Sequence, residues 1–190
     1  MVTQDDPQRR RRFNNLFAAY GPDIVAYCSW RADSETDAQD AVADVFLIAW
    51  RRLDAVPEGD AAKVWLYATA RRVIANQRRS TRRRAALRER LTHEQPPLAM
   101  GSSDREKSLV HEALHRLARR DREVLLLAEW EGLTPGEIGV VLNCLAVTVR
   151  GRLHRARNRF RTAYQELARE SRADAGRMRR PRSVAQEGGS

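Results

Sequence analysis

The feature that most constrains this chain is an apolar stripe, Val42, Val45, Phe46, Ala49 and Leu53, at the spacing that lines one face of an α-helix. No stretch alternates apolar and polar residues as a half-buried strand would, and glycine and proline are scarce within the long segments that carry such stripes. The chain therefore reads as all-α. Upstream, Phe13, Leu16, Phe17 and Tyr20 form a first stripe, Gly21-Pro22 interrupts it, and Ile24, Val25 and Cys28 resume it, which predicts a kinked helix or a short helix pair. Downstream, Pro57-Glu58-Gly59-Asp60 marks a turn, and Leu66, Ala70, Val73 and Ile74 carry a further amphipathic helix from about Ala61 to Arg79. These segments make a compact first bundle.

From Thr92 to Asp104 the periodicity lapses, and paired prolines and a Gly-Ser-Ser run deny the chain regular structure. It resumes with Leu109, Val110, Ala113, Leu114 and Leu117, then with the apolar run Val124 to Ala128, closed by Trp130. The expected organisation is two small helical bundles joined by a flexible linker. The first domain spans residues 10–85, the linker 86–106 and the second domain 107–169, with a disordered basic tail over 170–190.

Composition narrows the partners. The 35 Lys plus Arg against 25 Asp plus Glu leave a net charge of +10, and Lys63 and Lys107 are the only lysines. Arginine's planar fork suits phosphates and base edges. No stretch approaches the roughly 20 apolar residues a membrane span needs, and Met1 to Arg12 is polar with no apolar core behind it, so a cytoplasmic protein without membrane insertion is expected. Cys28 and Cys144 form no CxxC pair, which argues against a disulfide framework and a thiolate zinc site; both are expected to be small buried apolar residues.

The most informative stretch runs from Thr134 to Arg157. Thr134 can cap a helix, Pro135 suits its first position, and Glu137 stands where a capping box wants it. Ile138, Val141 and Leu142 supply an inner face, and Gly139 permits close approach of another helix. Asn143, which tolerates the left-handed backbone that ends a helix, supplies the turn. A longer helix follows, with Val149, Leu153, Ala156 and Phe160 as its buried stripe. Between Val147 and Arg161 stand six arginines, Arg150, Arg152, Arg155, Arg157, Arg159 and Arg161, and no acidic residue. This is a helix-turn-helix whose second helix is suited to a major groove, with phosphate neutralisation giving salt-dependent affinity. Val147, Thr148, Arg150, Gly151, Arg152, His154 and Arg155 are the candidate DNA contacts.

The first bundle has a basic end of its own: Arg71, Arg72, Arg78, Arg79, Arg82, Arg83 and Arg84, with Trp65 and Tyr67 just upstream. Interleaved aromatic and basic residues can stack on unpaired bases while holding the backbone. By contrast, residues 31–60 carry eight acidic side chains against three arginines. Such a surface repels DNA and is the natural candidate for a protein partner.

Taken together, Asp37-Ala-Gln-Asp-Ala-Val-Ala-Asp-Val-Phe46 with Trp50, then Trp65-Leu-Tyr-Ala-Thr-Ala-Arg-Arg72, and then the helix-turn-helix resemble the sigma factors of bacterial RNA polymerase, in particular the extracytoplasmic-function (ECF) group, from about Phe13 to Ala168. The resemblance implies a chain that binds core polymerase and directs promoter-specific initiation. It further implies that Asp37, Asp40, Asp44, Phe46 and Trp50 dock on the clamp coiled coil of the largest polymerase subunit. The segment from about Asp54 to Arg84, with Arg71, Arg72, Asn76, Arg78 and Arg79, would recognise and open the promoter's −10 element, and the second helix of the helix-turn-helix would read the −35 element. The linker would thread toward the RNA exit path, and an anti-sigma factor is a further candidate partner. Departures from the family's usual residues are Asn143 for glycine, Leu145 for a small capping residue, Gly151 for serine, and Arg72 and Asn76 for the frequent Asn and Asp.

Two rival readings belong to other classes. A self-sufficient helix-turn-helix regulator would make residues 1–91 a sensor or dimerisation domain, leaving the first block's basic end beside an acidic helix without a purpose. An enzyme would rest on His111 and His115, at a spacing that could hold a metal, but the sequence offers no further ligand nearby, no HExxH, no phosphate loop and no nucleophile elbow. No cofactor, metal or catalytic residue is expected.

Overall fold

The computed structural model describes residues 6–88 and 105–178, and side chains over 6–81 and 109–172. Most of the expected linker at 86–106, the side chains of Arg82, Arg83 and Arg84, and the tail over 179–190 lie outside the described residues. Among the described residues every regular element is helical and none is a strand: α1 (Pro7–Arg31), α2 (Glu35–Arg51), a 3₁₀ turn (Leu53–Ala55), α3 (Asp60–Arg88), α4 (Arg105–Arg116), α5 (Arg119–Glu129), α6 (Pro135–Leu142) and α7 (Ala146–Met178). The chain forms two compact units: α1, α2, α3, α6 and the opening turn of α7 in one, α4, α5 and the rest of α7 in the other.

In the first unit, Asp6 caps α1 by accepting from the Gln8 N–H at 2.9 Å, and Ser34 caps α2 by accepting from the Asp37 N–H at 3.0 Å. Gly21-Pro22 does not divide α1. Pro22 removes only its own N–H bond to Ala18, and both residues are exposed, so water satisfies the freed carbonyl. Gly21 is buried beneath the Phe17 ring, 3.7 Å from where a Cβ would stand. Gly59, at φ +60, turns the chain into α3. The helix extends well beyond the expected end at Arg79, to Arg88. The core is built from Leu16, Ile24, Cys28, Val45, Phe46, Leu53, Leu66 and Ile74. Burial pushes the Cys28 thiol up to about 12, so it is an inert filler. Cys144, expected buried, is only half-buried because it lies in the turn after α6.

α6 packs against α3 within this unit. Beside that contact Lys63 donates to the Glu131 carbonyl at 2.9 Å and lies 3.4 Å from Asp23, while the buried Tyr67 hydroxyl donates to the Glu131 carboxylate. Burial raises the Glu131 carboxyl, and the Tyr67 bond and Lys63 oppose that rise.

The second unit buries Ala113, Leu114, Leu117, Val124, Leu125, Leu127, Leu153, Ala156 and Leu167. Arg122 closes α4 by donating to the carbonyls of Leu114, His115 and Leu117 at 2.6, 2.7 and 3.3 Å, satisfying acceptors that a helix end leaves open. α7 continues through Glu170 to Met178, so the disordered tail expected from residue 170 is helical over its first part.

The capping box at α6 is formed as expected. Glu137 N–H donates to the Thr134 hydroxyl at 3.3 Å, and the Glu137 carboxylate accepts from the Thr134 hydroxyl and N–H, both at 2.7 Å. Gly139 departs from its expected role: a Cβ there would stand 2.7 Å from the Cys144 carbonyl oxygen, so it makes room for the turn's own backbone and not for another helix.

Thr134→Ala is expected to lower stability by about 1 kcal/mol in urea unfolding at neutral pH. The two bonds from Thr134 hold the Glu137 carboxyl below its usual range, so their stabilisation is present above that range and is lost as pH falls through the lowered value. The gap between Thr134→Ala and the parent should therefore narrow in acid; a gap independent of pH would show that the carboxylate contributes nothing. Gly139→Ala should destabilise by about 1–3 kcal/mol, since the carbonyl it meets is backbone and cannot swing aside.

Candidate nucleic-acid interface

The turn between α6 and α7 sets the geometry of the site. Asn143 adopts the left-handed conformation, φ 53 and ψ 55, and the Cys144 N–H closes back on the Gly139 carbonyl at 2.9 Å. Leu145 then occupies the position before α7, its carbonyl accepting from the Val149 N–H at 3.1 Å. Its side chain has no oxygen with which to cap the helix, and it is 73% exposed.

Along α7, Val149, Leu153 and Ala156 are buried, and Phe160, expected to join them, is half-buried. At 3.6 residues per turn the opposite face carries Val147, Gly151 and His154, with Arg150 at its flank. Val147 is 65% exposed. Arg150 is exposed and has no hydrogen bond or ion pair among the described residues. His154 is exposed and hydrogen-bonded to Asn158 at 3.2 Å. Arg155 is exposed on the flank, its guanidinium 3.5 Å from where a Gly151 Cβ would stand. Thr148 and Arg152 are half-buried and lie to the side.

The six arginines from Arg150 to Arg161 do not make one uniform surface. Arg157 pairs with Glu129 of α5 at 2.7 Å, and Arg159 pairs with Asp121, whose side chain is 10% exposed. Arg161 donates to Asn158 at 3.3 Å. Arg157 and Arg159 hold α7 against α5, while Arg150, Arg155 and Arg161 are exposed cations of this stretch.

In the first bundle the expected contacts also separate by exposure. Asp40 and Asp44 are exposed one helical turn apart, and Leu47, unforeseen in the sequence, continues their face at 44% exposure. Asp37 accepts from the Ser34 hydroxyl at 2.7 Å at the start of α2. Phe46 is buried against Phe17 and Phe13, with ring centroids at 4.7 and 6.3 Å. Trp50 packs on Phe13 at 5.2 Å under the Arg9 guanidinium, which also donates to its carbonyl at 2.6 Å. On α3, Arg72, Asn76 and Arg79 share an exposed face, Asn76 accepting from Arg79, and half-buried Trp65 lies at the same register two turns earlier. Arg71 is half-buried, and Arg78 pairs with Asp33 at 3.2 Å with its side chain 14% exposed. Tyr67, expected beside Trp65 as a stacking candidate, is wholly buried against Tyr27 and Glu131.

His111 and His115 lie on one face of α4 with ring centroids 4.4 Å apart. Among the described residues no group of three or more His, Cys, Asp or Glu could hold a metal, and no helix is long and apolar enough to cross a membrane.

Residues 16–84 match the family described as Sigma-70 region 2, and residues 107–160 match that described as Sigma-70, region 4. The chain is 28% identical to the RNA polymerase sigma-H factor of Pseudomonas aeruginosa, over 90% of this chain and 100% of that one. It is 30% identical to the ECF RNA polymerase sigma factor SigL of Mycobacterium tuberculosis, over 68% of this chain and 76% of the relative. Its fold is shared with the sigma factor RpoE of Bartonella quintana, solved in complex with the anti-sigma factor NepR, at a TM-score of 0.67, 24% identity, and 80% and 96% coverage of the two chains. Both halves of the promoter-recognition apparatus are thus present in their usual order on one helical scaffold, and the chain belongs to the sigma-70 family as an ECF sigma factor, a transcription-initiation factor and not an enzyme.

Proposed function

We propose that this sigma factor, which binds core RNA polymerase and directs promoter-specific initiation, divides those tasks among three separate surfaces. The exposed face of α2, Asp40 and Asp44 continued by Leu47, docks on the clamp coiled coil of the largest polymerase subunit. Asp37, Phe46 and Trp50 act behind it by capping and packing the helix. The exposed face of α3, Arg72, Asn76 and Arg79, meets the −10 element as it opens, and Arg78 positions that helix through Asp33. The outward face of α7 reads the −35 element. In this assignment residues 10–85 form the docking and melting domain and 107–169 the upstream-binding domain, joined by the 86–106 segment. The factor acts in the cytoplasm, and an anti-sigma factor is a candidate regulator.

The observation that carries the reading is the outward face of α7. Val147, Gly151 and His154 stand opposite a buried stripe, with exposed Arg150 and Arg155 on the two flanks, in a stretch without an acidic residue. A stand-alone regulator would need the same helix but would leave the region 2 match over 16–84 without a role.

In a reconstituted system the chain should make core polymerase initiate at specific promoters with no added regulator. Silence across a genome-wide promoter library, or tight specific duplex binding without polymerase, would sink the assignment. Arg150→Ala should reduce initiation at promoters that depend on the upstream element about tenfold and lower the salt slope of binding by about one. Polymerase affinity should stay unchanged, and its loss would show the helix to be misassigned. Reversing charge in Asp40→Arg with Asp44→Arg should weaken polymerase binding, read by competition for core enzyme, while circular dichroism stays that of the parent.

A further inference from the structure

The start of α7 is unusual for a surface meant to meet a polyanion, because it exposes hydrocarbon. Leu145 is 73% and Val147 65% exposed, while Cys144, Ala146 and Thr148 beside them are half-buried. Gly151 continues the face one turn after Val147 and offers no side chain at all. Space does not require that glycine: a Cβ would meet only the movable tip of Arg155, at an ordinary 3.5 Å. A glycine inside a helix costs about 0.5–1 kcal/mol relative to alanine, so its effect here is to lower the surface and admit a close approach.

The leading end of the recognition face therefore holds no hydrogen-bond donor or acceptor on Leu145, Val147 or Gly151. The polar side chains nearest it are the half-buried Thr148 and the exposed Arg150 and His154. Leu145, Val147 and Gly151 themselves can tell base pairs apart only by apolar contact. The one apolar group that the major groove presents is the C5-methyl of thymine.

Resting on the assignment of α7 to the −35 element, we propose that Leu145 and Val147 form a hydrophobic reader that selects thymine in the upstream promoter element through its methyl group. DNA is the occupant that the surroundings favour over a protein. Exposed Arg150 and Arg155 flank the patch, and the stretch from Val147 to Arg161 has no acidic residue. The leucine that replaces a polar cap in this turn, with the valine behind it, then gives this factor a promoter preference different from one read by hydrogen bonds.

The test uses the full chain assembled with core polymerase. Promoters are identified by mapping transcription starts, and templates are then made in which each thymine of the upstream element is replaced by deoxyuridine, which removes only the methyl. Burying one such carbon is worth about 0.8 kcal/mol, so loss of each contacted methyl should reduce initiation about fourfold. Leu145→Ala and Val147→Ala should show that reduction on the thymine template and no longer distinguish it from the deoxyuridine one, whereas Val147→Ile should still distinguish them. Arg150→Ala should lose activity equally on both templates. Both apolar side chains are surface residues, so unfolding melts of the alanine variants should match the parent.

Equal initiation by the parent on thymine and deoxyuridine templates would overturn the methyl reader. So would an upstream element without thymine, a methyl effect that survives the Leu145→Ala, Val147→Ala double variant, or a loss of polymerase binding in that variant. If scrambling the whole upstream element still abolishes initiation, the assignment of α7 to that element stands even when the methyl reader falls. If scrambling has no effect, the assignment itself fails.

Discussion

The site depends on a backbone contact with no room in it. Gly139 lies so close to the Cys144 carbonyl that any side chain would collide with it, and this closeness lets the chain leave α6 and enter α7 across Asn143, Cys144 and Leu145. Asn143 accepts the left-handed conformation at less cost than most residues because its short polar side chain can bond locally. The consequence reaches along the whole of α7. Each residue added to or removed from the turn would rotate the helix by about 100° relative to its entry, since 3.6 residues make a turn. Val149, Leu153 and Ala156 would then leave the core, and Val147, Arg150 and Gly151 would leave the outward face. The turn sets which residues of α7 face outward, and the core stripe holds that phase.

Charge placement in this protein follows from the same geometry, and net charge is a poor guide to it. The +10 balance suggests a broadly cationic surface. Many of the arginines instead serve the fold: Arg9 on Asp54 and the Trp50 carbonyl, Arg12 on the Val56 carbonyl, Arg78 on Asp33, Arg122 on the end of α4, and Arg157 and Arg159 on α5. Exposed ion pairs contribute little to stability, but Asp121 is nearly buried and would carry an uncompensated charge without Arg159. What remains outward on α7 is a small number of cations spaced around an apolar start. That arrangement suits discrimination better than a continuous positive stripe, which would bind every duplex alike.

What was legible in the sequence was what short-range chemistry decides. The capping box of Thr134 and Glu137, the left-handed Asn143 and the buried stripe of α7 each involve residues within a few positions of one another; the first two were predicted correctly, and the stripe holds at Val149, Leu153 and Ala156 but not at the half-buried Phe160. The features that escaped depend on partners distant along the chain. Nothing near Arg159 in sequence signals Asp121, and nothing near Tyr67 signals Glu131, so both were counted as available for nucleic acid. Gly139 was read as serving a second helix because the sequence cannot show how sharply the backbone returns after Asn143. Gly21-Pro22 left a kinked helix and a short helix pair open, and the single helix α1 excludes the pair, because the exposed position that makes Pro22's missing hydrogen bond harmless is a property of the fold. Leu145 was visible as a departure from the family pattern, but its exposure gives that departure a chemical meaning.

The first bundle keeps its two signs of exposed charge on separate helices. Asp40 and Asp44 on α2 and Arg72 and Arg79 on α3 belong to helices that pack on each other, yet each set lies on the exposed side of its own helix. Screening at physiological salt reduces interactions between exposed charges beyond about 8 Å, so each face presents its own sign to an approaching surface. A polyanion is repelled by the α2 face and attracted by the α3 face, which limits how the bundle can lie on promoter DNA. The same limit keeps α2 clear for a protein with complementary charge, and Leu47 among the carboxylates supplies apolar area that such a partner can bury. The cluster of Phe13, Phe17 and Trp50 around the buried Phe46 braces α2 from behind, so this aromatic packing determines where the acidic face points.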